Sequence, residues 1–247
     1  MSFLYHTVIF QPMYNGLVAL IDVLPWADAG LAIIILTLVI KLILFPLSKK
    51  SVHTQLTMKK YEPELAAIKD KYKDDKQEQA RAQMKFYKEK GIRPFVGILL
   101  LIIQLPIIIA LYRVFLSPGL PTIDASLLYS FVDLPAFVNI NFLSLVDISG
   151  KSVVLALLAG ISTFFQVRFS MPPTPKPAPR AAGAKASFQE DFARSMSVQM
   201  RYVFPVIAFF ISWSISGAIA LYWITSNVFT IGQELVIRRQ FKRAENK

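Results

Sequence analysis

The sequence predicts an all-α polytopic membrane protein with a five-transmembrane-helix core, and three observations predict this fold class. First, 54% of the 247 residues are hydrophobic and only 17% are charged, whereas an average soluble domain is about 25% charged. Second, the apolar residues gather in segments of roughly 20 residues, the length of a helix that crosses a bilayer. Third, the basic residues, which give a net charge of +11, are concentrated in alternate connections between these segments.

Five segments are apolar enough to cross a membrane. The predicted spans are 29–48, 94–116, 150–170, 200–215 and 217–237. The last two come from one uncharged stretch, Tyr202–Gln233, which is too long for a single crossing. Because Ser214, Ser216 and Gly217 interrupt it, we expect two antiparallel helices joined by a very tight turn.

The location of the basic residues orients the spans. Segment 48–94 carries 13 Lys and Arg, segment 168–201 carries six and segment 238–247 carries five, whereas residues 1–29 carry none. Cytoplasmic loops of membrane proteins are enriched in Lys and Arg. We therefore expect the N-terminus outside and the C-terminus in the cytoplasm.

Two segments are expected to rest at the outer interface. Residues 1–28 are apolar but interrupted by polar groups, and four residues share one helical face: Leu17, Leu20, Ile21 and Leu24. This pattern predicts an amphipathic interfacial helix, with a sixth span as the alternative. Segment 117–149 is apolar but interrupted by Pro135, Asn139 and Asn141, and we expect short helices there.

The first cytoplasmic segment, 49–93, is predicted to be a helical hairpin. One apolar stripe has helical spacing and comprises Tyr61, Leu65, Ile68 and Tyr72. A weaker stripe on the second helix comprises Ala80, Met84 and Tyr87. Gly91 is expected to end the second helix. The hairpin is read either as a solvated coiled coil or as a docking arm for a ribosome, a partner protein or lipid head groups, and these readings are compatible.

Two further cytoplasmic segments lack core-forming residues. Segment 171–199 opens with five prolines among Ala, Gly and Lys and is expected to be a disordered, basic loop. Segment 238–247 is a basic tail, which suits contact with anionic lipid or with ribosomal RNA.

Lys41 is the most informative residue, because it lies within a predicted span. It precedes Ser48 by seven residues, roughly 10 Å along a helix. It could snorkel to the interface, or it could be a cation in a hydrated cavity. Polar residues on other spans favour the cavity, and the predicted site comprises Lys41, Gln104, Gln166, Tyr222, Trp223, Ser226, Asn227 and Thr230. Taken singly, each could instead form interhelical hydrogen bonds.

Several classes of chemistry have no support in the sequence. The chain has no cysteine and two scattered histidines, which excludes a disulfide framework and gives no metal-ligand pattern. Neither a glycine-rich phosphate loop nor a paired-carboxylate pattern occurs. We therefore predict a protein that is not an enzyme, with no catalytic residue, metal or cofactor.

The motifs resemble those of the YidC/Oxa/Alb family of membrane-protein insertases, in the family's order along nearly the whole chain. The most specific match is Leu221–Thr230, with its tyrosine-tryptophan-x-x-x-asparagine pattern. Weaker matches are Gln11–Asn15, Leu42–Leu47, Lys90–Pro94 and Gln104–Pro106. The resemblance implies five core helices around a hydrophilic groove that opens to the cytoplasm and the lipid. The family usually has an arginine in the groove where this chain has Lys41.

The resemblance also implies a function and partners. The implied protein is a multi-pass insertase or chaperone of the bacterial cytoplasmic membrane. It would pass hydrophobic segments of nascent membrane proteins laterally into the bilayer, as a monomer, with the ribosome and the Sec translocon as candidate partners. Two alternatives stay open on the residues alone. They are a small-solute (anion) transporter or channel with Lys41 as its anion site, and a non-translocating membrane scaffold.

Overall fold

The computed structural model describes residues 3–24, 26–93, 95–116, 121–170 and 195–245. These residues are mostly helical, as the composition predicts. The helices are α1 (Phe3–Tyr5), α2 (Gln11–Val23), α3 (Ala29–Ile43), α4 (Phe45–Lys60), α5 (Glu62–Lys71), α6 (Lys76–Glu89), α7 (Val96–Leu116), α8 (Val153–Ser170), α9 (195–198), α10 (Phe204–Ser214) and α11 (Gly217–Glu245). Two π-helical segments, His6–Phe10 and Gln199–Val203, connect α1 to α2 and α9 to α10.

Some of these helices are long and apolar enough to cross a membrane. Among the described residues, Val153–Ser170 and Ser195–Ser214 qualify as single helices, and the bent pair α3 and α4 qualifies if it is counted as one span. In α7 the apolar stretch Ile102–Val114 is shorter. The chain is therefore a helical membrane protein, and the count of five spans stays a prediction.

The chain divides into two compact units. The first comprises Met1–Lys41 and Ile107–Gly232, and the second comprises Leu42–Pro106 and Gln233–Lys247. Three helices, α3, α7 and α11, each contribute residues to both units.

Prolines explain the irregular helices. Each π-helical segment ends two residues before a proline, Pro12 or Pro205, where the missing amide hydrogen disturbs the regular bonding. The predicted first span, 29–48, is likewise interrupted. Helix α3 ends at Ile43, and Pro46 lies in the first turn of α4, where proline is well tolerated because its missing N–H has no partner within the helix.

In the first unit, α8 and α10 pack closely through small residues. Ala156, Ala159 and Gly160 on α8 and Ala208 on α10 are buried. A Cβ atom at Gly160 would lie 3.2 Å from Phe209 Cβ and 3.2 Å from the Pro205 carbonyl oxygen. Small residues allow membrane helices to approach in this way.

The outer segment, residues 121–150, differs from its prediction. It contains a short 3-10 helix, Ala125–Leu127, and an antiparallel pair of strands, β1 (Asn141–Phe142) and β2 (Val146–Asp147). The short helices predicted for this segment are represented by Ala125–Leu127, and the strands were not predicted. The strands are joined through Leu143 and Ser144, which have φ of 50° and 59°, values that L-residues rarely adopt.

The carboxylate of Asp28 holds this hairpin against the start of α3. The Leu143 N–H donates to Asp28 Oδ2 at 2.9 Å, and the Leu31 N–H donates to Asp28 Oδ1 at 2.9 Å. Asp28 is only 5% exposed. One buried carboxylate therefore caps α3 and stabilises the strained turn.

Other contacts of the outer segment reach α2 and α11. The side chain of Asn15 bonds the backbone of the outer segment on both sides of Leu128. Its Nδ2 donates to the Leu127 carbonyl, and its Oδ1 accepts from the Tyr129 N–H at 2.6 Å. The Gly217 and Ala218 N–H groups, in the first turn of α11, donate to carbonyls of residues 150 and 148. The outer segment is thus tied by hydrogen bonds to α2, α3 and α11.

In the second unit, α5 and α6 pack on each other around Leu65, Phe86 and Ile92. The predicted stripe Tyr61, Leu65, Ile68 and Tyr72 faces this cluster in part, since Tyr61 and Ile68 pack against it. The second predicted stripe is wrong at two positions: Ala80 and Met84 are exposed, and Phe86 is buried instead.

The connection predicted to be disordered is described only in part. Residues 171–194 lie outside the described residues. Residues 195–199 are helical, so the helix that ends at Ser214 begins five residues before the predicted span.

Candidate functional site

Lys41 forms a hydrogen bond to the Thr230 hydroxyl group on α11, the last helix. Its Nζ donates to Thr230 Oγ1 at 3.3 Å, and the Thr230 hydroxyl donates in turn to the Ser226 carbonyl at 2.7 Å. Because its hydrogen is committed to that carbonyl, the Thr230 oxygen is oriented to accept from the ammonium group. Two residues 189 positions apart therefore place a cation between α3 and α11.

Two further residues of the predicted site lie on the same face of α11 as Thr230. Tyr222, Ser226 and Thr230 are spaced four residues apart, which places them in one row. Tyr222 and Ser226 are 3% and 7% exposed, and their side chains share a hydrogen bond. The row is therefore a continuous polar strip on one face of α11, with Lys41 at one end.

Asn227 belongs to a different contact. Its Nδ2 donates to Ser162 Oγ at 3.1 Å and to Thr163 Oγ1 at 2.9 Å on α8. Both hydroxyls donate to the Ala159 carbonyl, so their oxygens are free to accept. This arrangement matches interhelical hydrogen bonding, the alternative that the sequence left open for each of these residues.

The other three predicted residues lie on α8, α11 and α7. Gln166 on α8 donates from Nε2 to Ser170 Oγ at 2.9 Å, within its own helix. Trp223 is half-buried in α11. Gln104 is half-buried in the part of α7 that belongs to the second unit, so its predicted place beside Lys41 stays a prediction.

Two buried polar residues near this row were not predicted from the sequence. Thr37 lies one turn before Lys41 on α3, is 1% exposed and donates to the Ile33 carbonyl at 2.7 Å. Glu234 lies one turn after Thr230 on α11, is 3% exposed and pairs with Arg238 at 3.5 Å. The four-residue spacing that identified the row also reaches Glu234, and this spacing is the signal that could have identified that residue.

The site and the fold define the class of protein. A half-buried lysine within apolar helices, bonded to a polar strip on another helix, is the arrangement expected of a polytopic membrane protein with a functional polar site.

Comparison with known proteins gives the family. Residues 22–245 match the model of the family described as "60Kd inner membrane protein". A relative from Clostridium tetani, named "Membrane protein insertase YidC", is 32% identical over 219 residues, which cover 88% of this chain and 86% of the relative. The chain belongs to this family, and the predicted family resemblance is confirmed.

Further relatives carry the same name. The protein from Clostridium acetobutylicum is 34% identical over 84% of this chain and 72% of its own length. The protein from Francisella tularensis subsp. novicida is 33% identical over 88% of this chain, which corresponds to 34% of that longer relative. The matched relatives therefore include proteins of similar length and proteins with additional sequence.

Proposed function

We propose that this chain is a membrane-protein insertase, which receives hydrophobic segments of nascent or released proteins and passes them laterally into the bilayer. Membership in a family whose relatives are named insertases supports this function. The observation that carries the mechanism is the hydrogen bond from Lys41 to Thr230, because it places a cation against a polar strip among apolar helices.

The proposed mechanism uses attraction and hydrogen bonding rather than covalent chemistry. A hydrophilic tail must cross hydrocarbon while its apolar neighbour partitions into lipid. Lys41 would attract acidic residues of the tail, since charges interact more strongly at low dielectric constant. Tyr222, Ser226 and Thr230 would exchange hydrogen bonds with the tail's backbone. The membrane potential and hydrophobic partitioning would then drive insertion.

The proposed topology has five spans, with the N-terminus outside and the C-terminus in the cytoplasm of a bacterial cell. The groove beside Lys41 would open to the cytoplasm and the lipid, and the outer segment would close it on the other side. The hydrogen bonds from the Leu143 N–H to the Asp28 carboxylate and from the Gly217 N–H to the carbonyl of residue 150 support a closed outer end.

The proposed partners are nascent membrane proteins and the bilayer, with the ribosome and the Sec translocon as further candidates. A monomer is sufficient for a groove that faces lipid. Neither alternative, an anion transporter or a scaffold, is favoured by the comparisons, because the relatives reported above are all named insertases.

Complementation of a strain depleted of its own insertase tests the proposal. Lys41→Arg should support growth because it keeps the cation, whereas Lys41→Ala and Lys41→Glu should reduce insertion of substrates with acidic outer segments. We expect Lys41→Glu to lose at least tenfold in the inserted fraction, because it reverses an attraction worth more than about 1.4 kcal/mol at low dielectric constant.

A matched control makes the same charge change outside the site. Lys49 is an exposed lysine on α4, and Lys49→Glu should leave insertion of the same substrates close to that of the unaltered chain. Insertion by Lys41→Glu at the level of Lys49→Glu would remove the electrostatic part of the proposal. Failure of the unaltered chain to complement would remove the insertase function itself.

A further inference from the structure

A cavity of about 560 Å³ lies in the second unit, where α6 ends and α7 begins. Met84, Tyr87 and Lys88 line it from α6, and Phe95 and Leu99 line it from the other side. The hairpin 49–93, for which lipid head groups are one predicted contact, ends beside the cavity. The cavity lies at the boundary between a charged helix and an apolar one, which in a membrane protein is the boundary between water and hydrocarbon.

The connection between α6 and α7, which contributes Ile92 and Arg93 to the lining, is fixed by its own contacts. Gly91 adopts a φ of 65°, a value that favours glycine, and its N–H donates to the Lys88 carbonyl at 3.2 Å. The Ile92 N–H donates to the Tyr87 carbonyl at 2.8 Å, and the Ile92 side chain is 6% exposed. The cavity is therefore part of a packed connection.

The walls of the cavity are amphipathic. Lys88 and Arg93 line it and are both exposed to solvent, and no acidic residue is among the described residues that line it. The apolar side continues along α7 through Phe95, Leu99 and Ile102, which are 63%, 45% and 59% exposed. A ligand that matches both ends has an anionic head and a hydrocarbon tail.

We propose that this cavity binds one anionic phospholipid. Its phosphate would lie between Lys88 and Arg93, and one acyl chain would extend along Phe95, Leu99 and Ile102. The assignment to the inner leaflet rests on the proposed function and its topology. Basic pockets on the cytoplasmic side of membrane proteins bind such head groups.

The volume of the cavity suits one small ligand. About 560 Å³ lies within the roughly 300–1,000 Å³ of ordinary ligand sites, which is room for a head group and the first part of an acyl chain. The bound lipid would anchor the base of the α5 and α6 pair at the membrane surface, next to the start of α7.

Native mass spectrometry of the full chain in detergent tests this proposal. The chain is titrated with phosphatidylglycerol and, separately, with phosphatidylcholine that has the same acyl chains. We expect one phosphatidylglycerol to bind at least tenfold more tightly than phosphatidylcholine. The double variant Lys88→Ala, Arg93→Ala should lose that preference, since each basic residue near an anionic lipid surface contributes about 1 kcal/mol.

Two matched variants separate the site from general attraction. Lys69→Ala, Lys73→Ala removes the same charge from exposed positions on α5 and its turn and should retain the preference. Lys88→Arg, Arg93→Lys keeps both charges and should also retain it. Equal loss in both alanine pairs would overturn the site, and equal binding of the two lipids by the unaltered chain would overturn the role of charge.

Two competitors identify the source of the ligand chemistry. Glycerol phosphate, the head group without chains, should not displace the lipid at millimolar concentration, and Leu99→Gln should weaken lipid binding. Displacement by glycerol phosphate would indicate a phosphate site and overturn the lipid. The second competitor is an apolar transmembrane peptide. If it displaces the lipid, and if it binds the double variant Lys88→Ala, Arg93→Ala as well as the unaltered chain, the cavity is a peptide site. None of these lipid-binding results changes the outcome of the complementation assay with the unaltered chain. Failure of the lipid proposal can therefore be distinguished from failure of the insertase function.

Discussion

At the scale of single residues, the polar groups of α11 have two different tasks. Residues 222, 226 and 230 form one row, and Thr230 accepts from Lys41. Asn227 is adjacent in sequence to Ser226, but its side chain points to α8, where it bonds Ser162 and Thr163. A polar residue in a membrane helix is therefore assigned by its partner rather than by its place in a motif.

Asn227→Ala is expected to destabilise the chain without abolishing insertion by the folded fraction. The change removes two hydrogen bonds between α11 and α8. Such interhelical bonds contribute about 0.6 kcal/mol on average and up to about 1.7 kcal/mol. We expect a decrease of that size in the free energy of unfolding, measured by denaturation in micelles.

A double-mutant cycle with Thr163→Val isolates this contact. If the bond to Thr163 is part of the cause, Asn227→Ala should cost less once Thr163 has lost its hydroxyl, because only the bond to Ser162 is then left to lose. Lys41→Ala serves as the comparison, since it should reduce insertion by the folded chain, whereas Asn227→Ala should not. Additive costs in the cycle would contradict the assignment of Asn227 to helix packing.

At the scale of elements, the turn between the two strands of the outer segment is held by a single buried carboxylate. Asp28 accepts from Leu31 at the start of α3 and from Leu143 in the strained turn between the strands. Its loss would leave two N–H groups without these acceptors, and an unsatisfied buried group costs about 1–3 kcal/mol. The strands would then separate from the start of α3.

Asp28→Ala is therefore expected to lower the free energy of unfolding by about 2–4 kcal/mol, with fraying of the outer segment. Hydrogen exchange of the Leu143 and Phe142 amides should accelerate before the rest of the chain unfolds. Asp133→Ala removes an exposed carboxylate from the same segment and should change neither quantity. Equal protection of Leu143 in both variants would exclude Asp28 as the residue that holds the turn.

The contact between α8 and α10 gives a second prediction for an element. Gly160→Leu would place side-chain atoms against Phe209 and the Pro205 carbonyl, so the helices would have to separate. We expect a loss of at least about 2 kcal/mol in the free energy of unfolding. Gly232→Leu is the matched control, because nothing lies within 4 Å of the added Cβ atom there. A similar loss in both variants would contradict close packing at Gly160.

These elements also show what the sequence could predict. Helical periodicity located Leu65 and Tyr61, since apolar side chains recur with the period of a helix. It failed in the next helix, where charged residues dominate and Phe86, adjacent to the predicted Tyr87, is the buried residue. Propensity alone could not find the strands, because Leu143 and Ser144 adopt positive φ without glycine and depend on the distant Asp28.

The candidate site was predictable to a similar extent. A lysine within an apolar segment is expensive, so Lys41 could be identified from one sequence, and the spacing of residues 222, 226 and 230 gave the row. The pairing of Lys41 with Thr230 could not be predicted, because it depends on how α3 and α11 pack. The same reason explains why Asn227 was grouped with the row.

At the scale of the whole molecule, the distribution of charge and the polar contacts lead to one proposal about the side of the membrane from which water reaches Lys41. Basic residues are concentrated in the segments assigned to the cytoplasm. The outer segment instead carries Asp124, Asp133 and Asp147, and backbone hydrogen bonds hold it in place. A cation inside such a protein is useful for insertion only if it is hydrated from the cytoplasmic side. Access to Lys41 from one side is therefore the property on which the proposed function depends.

Single cysteines test this access directly, because the chain has none of its own. Lys73→Cys in the turn before α6 should react with a membrane-impermeant thiol reagent only in inverted vesicles. Phe137→Cys in the outer segment, at a residue that is 77% exposed, should react only in right-side-out vesicles. Lys41→Cys should follow Lys73→Cys and react more slowly, since the position is half-buried. Labelling of Lys41→Cys from the outer side, or from neither side, would mean that this cation does not face a hydrated cytoplasmic groove, and the electrostatic mechanism would then be wrong even for a correctly folded insertase.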